Sequence, residues 1–557
     1  LMPKEPSSPP GPRHLTNDDL SNHYTRGVSY KEIFPNKELG TNDNTTLPVL
    51  NLAFYPNERG PYNLDAENVN SDGTLGNPEK RWGGVMRKIE PSDLESANYE
   101  YIEFWLLDPY LEDETAEGGD LYFNLGEISE DILKDERKFF ENGMPVDGDM
   151  SKVDTTVWGK VPRTQSTGYA FDAQNRELQD VGLNGLSTEE EQTFPTYADY
   201  LNKLRAKLSG ETISKMMDDP FSPFNDPAGD NYHYFRGDDY DAKELDILSR
   251  YKRYNGTEGN SQESDQRYAT AGKSTPDVED INGDNTLNET EKYFEYKISL
   301  RPKDLQVGVN NIVDERTPEV TLMNGDKEKV KWYLFKIPIK DYEKRVGAIR
   351  DFKTVRFMRM YMTGFRKSTV LRFGTLELVR GDWRTYTQDL SNPLVPPKSD
   401  GQIVVSSVNI EENGQRQPVN YVLPPGISRM FDSSQPQLLQ QNEQALSMKI
   451  TDLSPADARA VYKSTAYDLR RYKRLQMFAH AEAPIDESKT LSNGDFSVFI
   501  RLGSDYKNNY YEYEVPLDLT PHSTILYNTN NSADQEKVWP LNNTLNFKLE
   551  TLTDLKL

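Results

Sequence analysis

The sequence predicts an all-β protein of two jelly-roll-like antiparallel β-sandwiches, the first interrupted by a long, partly helical insertion. Three observations carry this. Several short runs alternate apolar and polar residues with the period of two expected of strands. Tyrosine is abundant (32 residues) while apolar residues reach only 35%, a profile that suits wet, aromatic-rich β structure with long loops. A Pro-rich stretch divides two regions in which the same order of strands recurs.

Taken in order, residues 1–47 are polar and Pro-rich apart from Tyr30–Pro35, and read as an extended arm ordered only where it docks. The first sandwich is expected over 48–391. Tyr99–Leu107 (YEYIEFWLL) is apolar on both faces, as a strand covered on both sides should be. Leu121–Leu125 follows the Gly118-Gly119 turn and is expected to hairpin back onto it. Tyr293–Leu300, Lys331–Ile339, Val355–Tyr361 and Val370–Val379 each alternate, the last with a phase slip at Gly374-Thr375 that suggests a bulge. Met358, Met360 and Met362 share one strand face and read as core filler.

Between these strands lies an insertion, 126–290, rich in helix signals. Ser129 is placed to cap a helix running to about Phe140. Tyr197, Tyr200, Leu201, Leu204 and Leu208 fall at helical spacing and end at Gly210, a suitable residue just past a helix. Leu245, Leu248 and Tyr251 mark another helix. An insertion this long is more often functional than merely connecting.

Residues 392–402 form a semi-rigid Pro-rich linker. The second sandwich, 403–557, opens with the strand Ile403–Ile410. Ser454-Pro455-Ala456-Asp457 has the form of a capping box with Pro at the first helical position. Leu475–Ala479, Phe496–Leu502 and Tyr510–Leu517 read as strands. The two regions share an order: strand, acidic loop, Gly-Asp turn, alternating strand ending in Leu-Gly (Leu125-Gly126; Leu502-Gly503), then an aromatic strand ending in a proline dipeptide. We read them as divergent repeats.

Composition narrows function. The formal charge of −25 argues against nucleic acid and anionic lipid as partners, since both demand clustered Lys and Arg. With no cysteine, disulfides, thiolate metal sites and cysteine nucleophiles are excluded. No stretch approaches the roughly 18 consecutive apolar residues of a transmembrane helix. No secretory leader opens the chain, and its start at Leu1-Met2-Pro3 fits a fragment of something longer.

The sharpest motif is Asp280–Glu291 (DINGDNTLNETE). It matches a calcium loop, with side-chain oxygens at Asp280, Asn282, Asp284 and Asn288, a backbone carbonyl at Thr286, and Glu291 closing the ring. Asn285 stands where Gly is usual, and Asn tolerates the left-handed backbone required there. A solvated acidic loop is the plain alternative. Because Tyr293 onward reads as strand, a structural Ca2+ pinning the insertion's exit is expected rather than a sensor. Asp147, Asp149 and Asp154 form a weaker cluster, read as an acidic turn.

The five histidines, His14, His23, His233, His480 and His522, show no zinc spacing. His233 and His480 read as packed residues. The basic run Arg470–Arg474 reads as a solvated strand end. No nucleophile elbow, phosphate loop or dinucleotide fingerprint occurs, and no catalytic residue is assigned.

Asn51–Asn63 (NLAFYPNERGPYN), Trp82–Pro91 (WGGVMRKIEP), Tyr101–Pro109 (YIEFWLLDP), Gly119–Asn142, Asp280–Glu291, Val355–Met360 (VRFMRM), Tyr472–Glu482 (YKRLQMFAHAE) and Phe499–Pro516 resemble the SprA/Sov family. This is the giant outer-membrane translocon of the type IX secretion system, also required for gliding motility. The resemblance implies a non-enzymatic role in exporting folded proteins that bear C-terminal sorting domains. Implied partners are the remainder of the translocon barrel and a PorV-type outer-membrane protein. The chain lacks the even strand meander of a membrane barrel, so a water-exposed portion of the translocon is expected, with the extracellular face favoured over the periplasmic. Two other readings compete. One is a carbohydrate-binding or adhesive surface protein presenting Tyr232, Tyr234, Tyr510 and Tyr511; the other is a glycoside hydrolase or lyase, which needs two facing carboxylates in a cleft.

Overall fold

The computed structural model describes residues 15–40, 43–135, 137, 140, 143–164, 171, 176–254, 256–260, 278–390, 399–431, 440–465, 467–484, 491–505 and 507–555. The chain forms two compact units, Leu1–Gly27 with Pro48–Val379 and Val28–Leu47 with Arg380–Leu557. Secondary structure is mainly β.

The first unit is built on β1 (Leu50–Phe54), β2 (Trp82–Lys88), β3 (Tyr99–Leu107), β4 (Asp120–Glu127), β5 (Lys292–Ser299), β6 (Ile312–Arg316), β7 (Trp332–Pro338), β8 (Lys344–Val346), β9 (Phe357–Thr363) and β10 (Thr369–Arg380). They form two five-stranded sheets, in the orders β1-β10-β3-β7-β6 and β8-β5-β4-β9-β2. β7 runs antiparallel to β3 with Phe335 opposite Phe104, and β4 runs antiparallel to both β5 and β9 with Phe123 opposite Tyr296 and Met360. Along each strand the period of two points one set of side chains inward.

The sheets share one core. Phe104 stacks on Phe335 at 4.8 Å and meets Phe373 edge-on at 5.3 Å within its own sheet, then faces Phe123 of the other sheet at 5.6 Å. Met358, Met360 and Met362 are all buried in this core, as their spacing predicts. Removing one such large side chain from water contributes about 1.5–3 kcal/mol.

The expected hairpin between Tyr99–Leu107 and Leu121–Leu125 does not form, because β3 and β4 lie in opposite sheets. Both strands carry inward aromatic rings, and burying both sets requires them to face each other across the core. The crossing passes through Gly118, whose φ of 75° and whose close approach to Leu300 O leave no room for a Cβ. The chain also changes sheet between β1 and β2, β2 and β3, β5 and β6, β7 and β8, and β9 and β10. β10 is continuous through Gly374, and its burial falls off after that residue.

In the insertion, α1 (Thr188–Glu191), α2 (Pro195–Lys207), α3 (Gly210–Asp218) and α4 (Ile247–Lys252) appear. α2 buries Tyr197, Tyr200, Leu201 and Leu204, the residues its spacing singles out. Gly210 does not terminate it: Ser209 caps α3, and Gly210 is that helix's first residue. The helix expected from Ser129 is absent from the described residues of that stretch; part of it lies outside the described residues. Glu130 explains this. Its carboxylate accepts the N–H groups of Ile281 (2.8 Å), Asn282 (3.4 Å) and Asn288 (3.3 Å), so it serves the neighbouring loop rather than a helix of its own.

The second unit carries two-stranded ladders: β11 (Gln402–Asn409) with β12 (Gln444–Thr451), β13 (Arg474–Met477) with β16 (Leu545–Lys548), and β14 (Ser497–Gly503) with β15 (Tyr510–Pro516). Its apolar core gathers Val419, Tyr421, Val422, Tyr527, Val538 and Trp539. Ser454–Asp457 forms a turn, not a helix. Asp457 accepts from Ser399, Arg459 and the N–H of Ala458, and Ala456 takes φ 63°. In the same unit, Tyr30–Ile33 is a short helix with a complete capping box of Ser29 and Glu32.

Candidate metal centre

Three carboxylates converge within the first unit, on side chains from separate stretches of the insertion. Asp226-Pro227-Ala228-Gly229-Asp230-Asn231 is a turn sequence, and Asp226 closes it by accepting the N–H groups of Gly229 (2.7 Å), Asp230 (3.3 Å) and Asn231 (3.2 Å). Glu191 ends α1, which the capping box of Ser187 and Glu190 opens. Glu258 is placed by isolated bridges to Val181 and Asn231. One carboxylate oxygen from each of Glu191, Asp230 and Glu258 lies within 4.8 Å of the others.

Each acid is held in place. Glu191 accepts from Asn184 Nδ2 (2.5 Å) and Ala228 N (2.9 Å). Glu258 accepts from Thr188 N (3.1 Å) and Thr188 Oγ1 (2.8 Å). Asp230 Oδ2 accepts from Tyr62 OH (2.5 Å) and Thr257 Oγ1 (3.3 Å), while Tyr62 OH itself accepts Leu183 N–H (2.8 Å). Asp230 Oδ1 is buried and has no hydrogen-bond partner.

The electrostatics are unfavourable to three negative charges. Glu191 and Asp230 are 0% and 1% exposed. Burial, then the charge of Asp230, pushes Glu191 up to about 9. Burial likewise raises Asp230 to about 7, against the hydrogen bond from Tyr62 and with the charges of Asp226 and Glu258 adding to it. Glu258 is raised by burial. Among the described residues no Lys, Arg or His pairs with these three acids. Lys160 is bound to Glu190, and Arg59 donates to the carbonyls of Asp226 and Pro227. The donor set is all oxygen, which suits a hard cation and neither zinc nor copper.

The residues of the calcium-loop motif lie elsewhere, at the exit of the insertion. Asp280 accepts the N–H groups of Asp284 (2.9 Å) and Asn285 (3.0 Å), Asn282 accepts that of Asp284 (2.9 Å), and Asp284 accepts Thr286 N–H (2.9 Å) and Oγ1–H (2.6 Å). Asn285 has φ 60°, the left-handed backbone expected at that position. Asn288 Nδ2 donates to Ile128 O (2.7 Å). Glu291 faces Arg359 on β9, at 3.1 and 3.4 Å, and accepts Ser129 N–H (3.3 Å). The loop thus brings Asp280, Asn282, Asp284 and Thr286 together, and it turns Glu291 toward the sheet.

Other sequence candidates resolve simply. Lys152 pairs with Asp147 and Arg163 with Asp154, both at the surface. His233 bonds Asp239 and stacks on Tyr240, and His480 bonds Val538 O and Glu482. Tyr232, Tyr234, Tyr510 and Tyr511 are half-buried, and the Arg501 guanidinium covers Tyr510 at 4.3 Å, so they offer no open platform of rings. A hollow of about 360 Å³ beside Met144 has Asp147 as its one acid, not the facing pair that glycoside hydrolysis needs.

The sequence reading did not find Glu191, Asp230 or Glu258, because its spacing templates are local and this cluster is assembled by the fold. The acid-Gly-acid turn Asp226–Asp230 is the local signal that points there.

Residues 199–557 match a family model described as motility related/secretion protein. Comparison with curated proteins gave no match.

Proposed function

The chain belongs to the SprA/Sov family of motility-related and secretion proteins, and from that premise we propose that it forms a non-enzymatic part of the type IX secretion translocon at the outer membrane. There it acts as a cap, gate or docking surface for the export of folded proteins. The observation that carries the proposal is the family match over residues 199–557, which takes in just over half of the insertion, six strands of the sandwich and the Arg380–Leu557 part of the second unit. A sandwich of two five-stranded sheets supports it physically, since such a frame holds inserted segments at fixed positions for contact with partners. Among the described residues no helix is long and apolar enough to cross a membrane. The partners on this reading are the translocon barrel, a PorV-type protein and cargo with C-terminal sorting domains. The face is the extracellular one.

The test is export in cells whose full translocon gene lacks the codons for 176–254. Cargo is expected to stay unexported while the barrel still inserts; normal export overturns the proposal. Biotinylation of intact cells at engineered surface cysteines reads the face, and labelling only after outer-membrane permeabilisation reverses that assignment.

A calcium ion in the Asp280–Glu291 loop belongs to the same proposal, supported by the oxygen spacing and by the left-handed Asn285. Asp280→Ala with Asp284→Ala is expected to reduce the rise in melting temperature that calcium gives the parent. An undiminished rise removes this ion from the proposal.

A further inference from the structure

We propose that Glu191, Asp230 and Glu258 bind a calcium ion that ties the Asp226–Asn231 turn and the Thr257–Gly259 segment to α1. The inference stands apart from the secretion role and rests on geometry.

Three points carry it. First, the three oxygens lie within 4.8 Å of one another. Calcium binds oxygen at about 2.3–2.6 Å in a flexible shell of about six to eight ligands, so three oxygens inside that span fit one ion; magnesium, at about 2.0–2.1 Å, demands near-ideal octahedral geometry. Second, Asp230 Oδ1 is a buried carboxylate oxygen without a partner in a side chain 1% exposed. Buried polar atoms are nearly always satisfied, and one that is not points to an absent ligand. The other oxygens of the group accept one or two bonds and keep lone pairs for a cation. Third, the cluster is rigid around Asp230. A Cβ on Gly182 would stand 2.1 Å from Asp230 Oδ2, and one on Gly256 would stand 2.2 Å from Asp230 O. With glycine required at both places, the surrounding backbone closes on Asp230, and the carboxylate is fixed where it is.

Calcium offsets what the fold leaves unbalanced: three acids, two of them fully buried, with no cationic side chain of the described residues paired to them. Water completes the shell. The competing arrangement keeps one or two of the acids protonated and sharing hydrogen bonds, with no ion.

The experiment uses the full chain carrying Asp280→Ala and Asp284→Ala, which removes the other candidate loop, in about 0.15 M salt to screen loose binding to an acidic surface. After treatment with chelator, calcium chloride alone is titrated by calorimetry, and melting is followed with calcium and with chelator. The background chain is expected to bind calcium and to melt higher with it. Asp230→Asn on that background is expected to bind at least about tenfold more weakly. It should melt at or above the background in chelator, where one buried charge is gone, and below it in calcium. Should Asp230→Asn fail to fold, Glu258→Gln at the less buried position is read in the same way. Absence of calcium binding by the background chain overturns the inference, as does an undiminished affinity and melting rise in the folded variant. Either result assigns the cluster to shared protons.

Discussion

Both units draw on the same kind of alternating strand, and they hold those strands by different means. In the first, ten strands in two sheets close on a single apolar core, and rings from both sheets meet there. In the second, the ladders are two-stranded, and β12 leaves Leu446, Met448 and Ile450 40%, 41% and 38% exposed. A two-stranded ladder has too little surface to bury its own apolar face. Fixed polar contacts take up part of the work. Arg459, 4% exposed, pairs with Asp457 at 2.9 Å and donates to Gly401 O and Ser399 O. Glu482 receives Arg416 and His480, and Trp539 Nε1 donates to Val422 O at 2.9 Å. The difference teaches that a strand pattern in sequence specifies a face to be covered, not what covers it.

Three measurements would break or sharpen this contrast. The largest effect is expected in the first core. Phe104→Ala should cost about 3–5 kcal/mol in denaturant unfolding, whereas Met448→Ala on β12 should stay within about 0.5 kcal/mol. Similar costs would erase the contrast. Next, Arg459→Met takes the cation from Asp457, which keeps its bonds from Ser399 and Ala458, and should destabilise the second unit by about 1.5–3 kcal/mol. Adding Asp457→Leu should recover much of that loss, and no recovery would mean that Arg459 acts through packing alone. Smallest is a response to acid. Burial pushes Glu482 up, but the hydrogen bonds from His480 and Arg416 outweigh it and hold the group at about 2. Its folded value lies below its unfolded one, so its contribution is complete above the ordinary glutamate range and fades as pH falls from about 4.5 toward 2. Glu482→Gln should therefore lower stability by about 1–2 kcal/mol at pH 7 and much less at pH 2. A loss of equal size at both values would detach this residue from the acid response.

Much of the first unit is legible before folding, because alternation and helical spacing are local. The burial of Met358, Met360 and Met362, and the inward row Tyr197, Tyr200, Leu201 and Leu204, follow from periodicity alone. Partner choice does not. The pattern in Leu121–Leu125 names its buried face correctly and says nothing of which strand it joins, so the hairpin onto Tyr99–Leu107 was the nearest guess and the wrong one. Capping motifs fail for a related reason: Ser129 and Ser454 precede plausible helices, but Glu130 accepts from Ile281 and Asp457 from Ser399, both distant in sequence. The candidate metal centre is the extreme case. Glu191, Asp230 and Glu258 are far apart along the chain, and only Asp226–Asp230 shows locally that the backbone turns sharply there.

The repeated change of sheet between successive strands gives the first unit a mechanical property. Its layers are laced to each other, so neither can be peeled away as a flap while the other stays folded. Its first and last strands, β1 and β10, lie side by side in one sheet, so a pull on its two ends meets that ladder first.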